Sequence, residues 1–367
     1  MNRPLGEAYH HLAQDVRDYA DADRALVTLR PRRTRRALIV GSAALMVIVG
    51  GVVAVQQFLP GPPDTVATVA SPTQVVRVVE PPAEAPTLPS AGPVGRGAMV
   101  YTACQSECPT FLLLTDGRQY LLGERTVNPP GNITLSPDGR WLGQPVGGGY
   151  EVRDLLGVTV HRLAPPAGGN ADSAYSPWAW SEDSRRLIAG YHASGDVSFY
   201  TSLELPGGRT SELQLPPQQE PVGLLPSGEL LLLDQSQYGK LPLERVTLKH
   251  ANSGHTVTLT SGAGLLADTD HGLWIQVKSK RVFTLEYSGD RTTVLEFDLA
   301  GKQVARLPLS ADQFPIGPVD GGFAVMRIPQ DQANGRQKLE SISPVGRRPL
   351  FDVPGLAAVV LPGGARH

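Results

Sequence analysis

The histidines of this chain have the widest chemical use of its side chains, because they can ligate metals and transfer protons near neutral pH. Their spacing matches no catalytic or metal-binding pattern: the sequence has no HExxH, no GxSxG elbow, no Walker loop and no GxGxxG between a strand and a helix. Each lies beside a predicted turn or strand end, or in the N-terminal segment, so we interpret them as surface or loop residues. The sequence therefore predicts no catalytic residue and no cofactor. The histidines are His10, His11, His161, His192, His250, His255, His271 and His367.

Two cysteines, Cys104 and Cys108, lie four residues apart in YTACQSECPTF and are the only thiols of the chain. An even number of cysteines in a domain outside the cytoplasm favours a disulfide, which here closes a small loop between two predicted strands. Half of a metal site is the alternative, but no second cysteine pair or HxxxH motif supplies further ligands. We predict a structural Cys104–Cys108 disulfide that makes this loop rigid.

An uncharged apolar stretch at residues 37–59 decides on which side of a membrane these histidines and cysteines lie. At about 1.5 Å per helical residue it spans roughly 34 Å, enough to cross a bilayer core of about 30 Å. A cleaved signal peptide is the alternative, but the preceding 36 residues are long for one and no A-x-A site follows closely. Because basic residues stay on the cytoplasmic side, we predict a single-pass cell-membrane protein with a cytoplasmic N-terminus. The arginines before the span are Arg30, Arg32, Arg33, Arg35 and Arg36.

Three further segments flank or follow the predicted span. The cytoplasmic residues 1–36 contain a predicted amphipathic helix at 4–28, whose apolar stripe over residues 5–26 fits a homodimer or another partner helix. A marginal helix lying against the membrane is an equal alternative. Residues 60–95 are rich in proline and predict an extended linker. Residues 96–367 remain for one large extracytoplasmic domain.

Charge and composition limit what this domain can bind and how it folds. The chain carries 33 basic and 35 acidic residues, and this balance argues against a nucleic-acid partner, which would need a basic surface. Its 40 glycines and 33 prolines predict many turns and short strands.

A repeat of about 45 residues predicts the fold. Six segments share an apolar strand, a turn and a second strand, as in ITLSPDGRWLG, WAWSEDSRRLIAG and VGLLPSGELLLL. A second series of six hairpin turns, such as TDGR and PGGR, alternates with the first. Two hairpins per repeat make four strands, which is the blade of a β-propeller. The turn residues of the first series are Gly139, Ser184, Gly228, Gly272, Gly322 and Gly364.

The two ends of the domain predict how the ring closes. The first unit, residues 96–124, has an outer turn but lacks an inner one, whereas the last segment, from residue 356, has an inner strand and little after it. Joined, they complete one blade, so the C-terminal strand pairs beside the N-terminal blade and leaves no open edge. We predict an all-β, six-bladed propeller closed by the C-terminal strand.

The turn SPDGR at residues 136–140, followed by Trp141 and Leu142, resembles the repeat of TolB-like and other WD-repeat-like propellers. The resemblance covers most of residues 96–367 and implies a fold, with structural roles for the turn residues. The layout of helix, arginine cluster, span, linker and propeller also resembles actinobacterial membrane proteins, some of them associated with sigma-factor regulation. The zinc-binding H-x3-C-x2-C pattern of many anti-sigma factors is missing here.

A catalytic alternative depends on four aspartates near the predicted inner strands. Six-bladed lactonases hold a metal in the central channel with carboxylates and amides, and these aspartates place such a cluster within reach. Acidic residues are ordinary in turns, however, because their side chains cap the turn backbone. The four are Asp234, Asp268, Asp270 and Asp320.

Four tryptophans lie near the inner hairpins, and packing between blades explains them; Trp178 alone is also placed to reach an exposed face. Taken together, the sequence predicts a membrane-anchored extracytoplasmic propeller that binds or senses a protein, a peptide or an envelope polymer. A membrane-tethered hydrolase or lactonase is one alternative, and an anti-sigma-factor-like regulator acting through residues 1–36 is another. The tryptophans are Trp141, Trp178, Trp180 and Trp274.

Overall fold

The computed structural model describes residues 76–102, 108–126, 132–147, 149–165, 174–193, 196–328, 335–355 and 358–364. These residues are almost entirely β-structure; the one helix among them is a 3-10 turn, η1 (Gln235–Lys240). No helix in these ranges is long and apolar enough to span a membrane. The predicted helix at 4–28 and the predicted transmembrane helix at 37–59 both lie outside the described residues.

The strands form six blades, which confirms the predicted propeller. The strands are β1 (Arg77–Val78), β2 (Gly97–Thr102), β3 (Cys108–Leu114), β4 (Gln119–Thr126), β5 (Thr134–Leu135), β6 (Trp141–Val146), β7 (Gly149–Asp154), β8 (Val160–Leu163), β9 (Ala174–Trp180), β10 (Arg186–Ala193), β11 (Asp196–Glu204), β12 (Arg209–Glu212), β13 (Gln219–Leu224), β14 (Leu230–Asp234), β15 (Arg245–His250), β16 (Thr256–Thr260), β17 (Ala267–Asp268), β18 (Gly272–Leu273), β19 (Ile275–Lys278), β20 (Arg281–Ser288), β21 (Arg291–Asp298), β22 (Gln303–Pro308), β23 (Gln313–Val319), β24 (Gly322–Arg327), β25 (Arg336–Ser343), β26 (Gly346–Pro354) and β27 (Val359–Val360). Blade 1 is β27-β2-β3-β4, blade 2 is β5 to β8, blade 3 is β9 to β12, blade 4 is β13 to β16, blade 5 is β19 to β22, and blade 6 is β23 to β26 with β1 at its outer edge.

The alternation of buried and exposed side chains along the strands explains how the blades stack. In β15 the side chains of Val246, Leu248 and His250 are buried, while Arg245 and Lys249 are exposed. The apolar faces of neighbouring sheets meet in shared clusters, one of which joins blades 2 and 3. The ring is therefore held by sheet-on-sheet burial between neighbours. That cluster contains Trp141, Tyr150, Val152, Leu163, Tyr175, Trp180, Leu187, Ala189, Tyr191, Leu203 and Leu205.

The C-terminal strand closes the ring, as predicted. β27 pairs antiparallel with β2, so that Val359 and Val360 lie opposite Tyr101 and Val100. Beyond the strand, Leu361 is only 6% exposed, and the carbonyl of Gly364 accepts a hydrogen bond of 2.5 Å from Thr134 Oγ1 in blade 2. The C-terminal segment thus joins two blades as well as completing one.

Blade 5 departs from the predicted turn positions. Its first hairpin, between β19 and β20, turns at Ser279 and Lys280, which both have positive φ. Gly272 instead ends the turn of a small extra hairpin, β17–β18, which precedes the blade. The repeat pattern does not distinguish the extra hairpin from the first hairpin of the blade. The turn at Ser279 and Lys280 lacks the glycine or proline that usually marks such a turn.

The other predicted turn residues of blades 2, 3, 4 and 6 lie in or beside the turns between the first two strands of their blades, and Gly364 lies in the C-terminal segment after β27. Gly139, Ser184 and Gly228 have the positive φ that these turns require. In blade 6 and at the C-terminus the positive φ belongs to the residue just before the predicted one, at Gly321 and Gly363. Gly322 begins β24, and Gly364 follows Gly363 beyond β27.

The second half of the predicted linker lies on the propeller. Residues 76–95, which we call the strap, are extended, as a proline-rich stretch should be, but they follow the outer edges of blades 6, 1 and 2. Val79 and Val94 of the strap are buried. The strap therefore crosses the blades beside the closing seam and adds backbone hydrogen bonds there. These bonds run from Val79 N to Asp352 O (2.8 Å), Leu121 N to Pro86 O (2.9 Å), Leu88 N to Leu121 O (3.1 Å) and Val94 N to Leu155 O (2.8 Å).

The predicted disulfide stays a prediction. Cys108 begins β3, is buried and is not a free thiol, but Cys104 lies outside the described residues.

Candidate functional site

A cavity of about 680 Å³ lies on the ring axis, between the innermost strands. Blades 3, 4 and 5 supply most of its wall, through β9, β13 and β19, and blade 6 adds Pro318. The inner turns of blades 2 and 1 reach it through Pro137 and Gly363. We call this cavity the channel, and its size fits a side chain or a short segment of a ligand.

The middle of the channel wall is apolar. The side chains facing it from blades 4 and 5 include Val222, Leu233, Ile275 and Val277. β13 and β19 approach closely because residue 223 is glycine: a Cβ there would lie 2.2 Å from Val277 Cγ2. These side chains give the wall an apolar stretch, and Gln276, between Ile275 and Val277, adds a polar side chain to the same wall.

One end of the channel holds a buried carboxylate. Glu220, on β13, is 8% exposed, and its carboxylate accepts hydrogen bonds from the Tyr238 hydroxyl and from Gln235 Nε2, the latter at 3.3 Å. Tyr238 and Gln235 belong to η1, whose first turn is capped by Asp234. Burial and the bond to Glu220 raise the pKa of Tyr238 far above its usual range, so this phenol stays a hydrogen-bond donor. We call Glu220, Gln235, Tyr238 and Trp178 the Glu220 cluster.

Trp178 brings an aromatic ring to the same end. Its indole N–H donates to the carbonyl of Pro221, the residue after Glu220, and this bond fixes the ring against β13. The ring also contacts the edge of Tyr200 at a centroid distance of 5.2 Å and lies 6.2 Å from His192. The exposed face that the sequence allowed for Trp178 is therefore the channel wall.

Ser176 and His192 form a contact of the kind that activates a catalytic serine. Ser176 Oγ lies 2.7 Å from His192 Nε2. However, the serine is only 2% exposed and does not line the channel, which leaves no room for a substrate carbonyl beside its oxygen. The pair is therefore better suited to holding the imidazole in place than to nucleophilic attack.

The opposite end of the channel carries charges that are already paired or hydrogen-bonded. Lys278 Nζ lies 2.8 Å from the carboxylate of Asp320. Ser279 Oγ donates to the Glu182 carboxylate at 2.8 Å, which links the inner turns of blades 5 and 3. This end is the more polar opening of the channel.

The four aspartates predicted as possible metal ligands are not brought together. Asp234 caps η1, and Asp268 accepts the backbone N–H groups of Asp270 and His271 at 3.0 and 2.8 Å. Asp320 pairs with Lys278, and none of the four lines the channel. Over the ranges that the structure describes, no group of three or more His, Cys, Asp or Glu side chains could hold a metal ion.

Each described histidine has a local contact, and the contact of His192, on the channel wall, is the one with Ser176 given above. His161 Nε2 lies 2.9 Å from the Pro206 carbonyl, and His250 Nδ1 lies 3.1 Å from Glu229. His255 packs edge-on against His250, and His271 contacts Asp268. The remaining three, His10, His11 and His367, lie outside the described residues.

The sequence contains no local signal for the Glu220 cluster. Glu220 and Tyr238 look like ordinary residues before and after a strand, and only the return of β14 and η1 beside β13 joins them. Trp178 is the one member whose sequence position indicated a possible surface role.

The arrangement of sheets and channel defines a six-bladed β-propeller with an axial cavity. No protein-family model matches the chain, and no curated protein matches it significantly in sequence. Among solved structures it is similar to TolB from Acinetobacter baumannii (14% identity, TM-score 0.45, covering 72% of this chain and 66% of that one). It is also similar to a putative TolB from Agrobacterium tumefaciens (14%, 0.41, 73% and 99%) and to a putative 6-phosphogluconolactonase from Bacteroides fragilis (12%, 0.35, 72% and 98%). The chain spans just under two thirds of the Acinetobacter TolB, and at these values the likeness carries no information about activity.

Proposed function

We propose that this chain is a membrane-anchored binding or sensory propeller, which takes a protein, a peptide or an envelope component into its axial channel outside the cell. The observation that supports it is the channel itself, with an apolar stretch on its wall and a hydrogen-bonded carboxylate and aromatic ring at one end. Such a cavity, with few convergent polar groups, is typical of a ligand site. The serine of the serine–histidine contact at its wall, Ser176–His192, is buried away from the channel, and over the described residues no group of three or more ligating side chains could hold a metal ion. Both observations favour binding over catalysis.

Channel blocking tests this proposal. Val222 is half-buried on the channel wall, so Val222→Trp adds its volume to the channel, whereas Val304→Trp places the same ring on the outermost strand of blade 5, where the valine is 41% exposed. Full-length protein in detergent is immobilised and exposed to a detergent-solubilised envelope fraction. Wild type and Val304→Trp should retain the same species and Val222→Trp should lose it, with thermal melting confirming that both variants fold. Equal retention by both variants contradicts the proposal.

The anchor is part of the same proposal and is supported by the uncharged stretch at 37–59 and the arginines before it. The full chain should stay in the membrane pellet after alkaline carbonate extraction, and a variant lacking residues 37–59 should be released. Protease added to intact cells should cleave the propeller of the full chain. Release of the full chain by carbonate, or complete protection from protease, contradicts this anchor and orientation.

A further inference from the structure

We infer that the Glu220 end of the channel binds an organic cation with N–H donors, an ammonium or guanidinium group such as a lysine or arginine side chain of a polypeptide ligand. This inference rests on the proposed function, because it assigns a ligand chemistry to the same channel. Four observations support it: an uncompensated carboxylate, an aromatic ring fixed beside it, the charge balance of the wall and the number of oxygen ligands on offer.

Within the part of the chain that the structure describes, the Glu220 carboxylate has no cationic partner. Among the described residues no lysine, arginine or histidine nitrogen forms an ion pair with it. Its two hydrogen-bond donors, Tyr238 and Gln235, are neutral. A buried charge without a counter-ion is costly, so a position that keeps one is either strained or reserved for a ligand. An ionised carboxylate has about four acceptor positions, of which these two donors use two.

The aromatic side chains beside Glu220 suit a cation. Trp178 is held against Pro221 by its indole N–H, which leaves the ring on the channel wall next to β13. Tyr238 lines the same end of the channel. A cation near a tryptophan or tyrosine face is attracted by the ring quadrupole, and the attraction grows where water is displaced. Carboxylate and ring together therefore favour a cation with an apolar stem, which the valine and leucine wall would contact.

The rest of the wall leaves the channel anionic. Lys278, the one lysine on the wall, is already neutralised by Asp320 at the opposite end. Glu182 at that end is held by a serine hydroxyl. Glu220 and Glu182, neither of which forms an ion pair with another described residue, thus face a channel whose lysine is paired, and fields of this sign draw in cations.

A metal ion fits the Glu220 cluster less well than an ammonium or guanidinium. Calcium takes about six to eight oxygen ligands, and magnesium near-octahedral oxygen geometry. Here one carboxylate is accompanied by the phenol and amide groups that donate to it and by an indole ring. N–H donors that bind the two remaining acceptor positions of Glu220 match this arrangement.

Calorimetric titration of the full chain in detergent tests the inference. The probes are N-acetyl-lysine N-methylamide, its uncharged isostere N-acetyl-norleucine N-methylamide, and putrescine. The lysine probe should bind about 10- to 100-fold more tightly than norleucine, and Glu220→Gln should remove that advantage. Tyr238→Phe keeps the ring but removes one donor, and should weaken lysine binding less. Glu212→Gln, on the exposed outer strand of blade 3, should leave binding unchanged.

The outcomes separate this inference from the proposed function. Equal binding of lysine and norleucine, or unchanged lysine binding in a folded Glu220→Gln variant, overturns the cation site. Tighter binding of putrescine than of the lysine probe keeps the cation site and identifies a free polyamine as its source. If lysine binds through Glu220 but Val222→Trp retains the envelope species, the cation site stands and the proposed function fails. If Val222→Trp loses that species while Glu220→Gln binds lysine normally, the proposed function stands and the cation site fails.

Discussion

Val100 on β2 lies opposite Val360 on β27, so the last strand of the chain pairs with the first long strand of the propeller. The pair places the two ends of the domain in one blade, and Leu361 continues the contact into the core shared by blades 1 and 6. A ring closed in this way has no open sheet edge between its first and last blades. The channel on its axis is lined mostly by blades 3, 4 and 5, and the closed ring adds Gly363, from the segment after β27, to its wall.

Deleting residues 356–367 should destabilise the propeller, because it removes β27 and the buried Leu361. Burial of one leucine side chain contributes about 1.5–3 kcal/mol, and loss of the strand pairing adds to this. At about 2–4 °C per kcal/mol, loss of the leucine burial alone should lower the melting temperature by roughly 3–12 °C, and loss of the strand pairing should lower it further. Calorimetry measures the shift, and deletion of residues 365–367 alone is the control. An unchanged melting temperature after the longer deletion would show that β27 does not hold the ring.

The sequence predicts this closure well because the closure follows from the number of repeated turns. Six inner and six outer turns recur at nearly equal spacing, and an incomplete unit stands at each end. The same counting fails in blade 5, where Gly272 marks an extra hairpin and the blade itself turns at Ser279 and Lys280. Turns without glycine are stabilised by the strands around them, so their sequence carries little signal.

Gly139 should tolerate alanine poorly, for a reason that Gly117 does not share. Both have positive φ, but a Cβ at Gly139 would lie 2.2 Å from the carbonyl oxygen of Gly97 in blade 1, whereas nothing lies within 4 Å at Gly117. Gly117→Ala should cost about 1–2 kcal/mol for the left-handed backbone alone. Gly139→Ala should cost more than about 3 kcal/mol, because blade 2 must move from blade 1. Denaturant unfolding compares them, and equal losses would mean that blades 1 and 2 do not pack as described.

Arg336 should hold the strap on blade 6. Its guanidinium donates to the Val79 carbonyl at 2.7 Å and pairs with Glu80 at 2.7 Å, while its Nε lies 2.5 Å from Asp352. Arg336→Gln removes most of these bonds, so trypsin should cleave after the strap residue Arg77 several-fold faster than in the wild type. Mass spectrometry of timed digests measures the rate.

Arg209→Gln is the matched control, because Arg209 forms an exposed pair with Glu204 on blade 3, far along the chain from the strap. It should leave the Arg77 cleavage rate as in the wild type. A wild-type rate in Arg336→Gln would show that the strap is held by its backbone bonds alone.

Glu229 should make stability depend on acid pH. The hydrogen bond from His250, together with backbone N–H groups of Ser253 and Asn252, lowers the pKa of Glu229 to about 2 from its usual 4.5. Because the pKa is lowered by folding, this stabilisation is present above pH 4.5 and is lost as the pH falls toward 2. The stability difference between wild type and Glu229→Gln should therefore shrink across that window, as followed by denaturant unfolding at each pH. A difference that stays constant from pH 6 to pH 2 contradicts the lowered pKa.

The candidate site was less predictable than the fold. Glu220 and Tyr238 are 18 residues apart, and neither belongs to a motif. They meet because η1 folds back beside β13, which depends on the packing of the whole blade. Of the four aspartates that looked like ligands, Asp234 and Asp268 cap local turns, Asp320 pairs with Lys278, and Asp270 lies in the turn that Asp268 caps. The blades recur along the chain and leave a repeated pattern in the sequence. The Glu220 cluster forms only at one place and leaves no such pattern.

Photo-crosslinking inside the channel shows whether an envelope component binds there. A photoreactive phenylalanine analogue replaces Trp178 on the channel wall, and in a second strain it replaces Val345, which is 98% exposed in the turn between β25 and β26. Intact cells expressing the full chain are irradiated and crosslinked species are identified by mass spectrometry. If the channel binds an envelope component, position 178 should yield a specific crosslinked species and position 345 should yield none of that species. No crosslink at position 178 in a folded protein, or the same species from both positions, would contradict such binding.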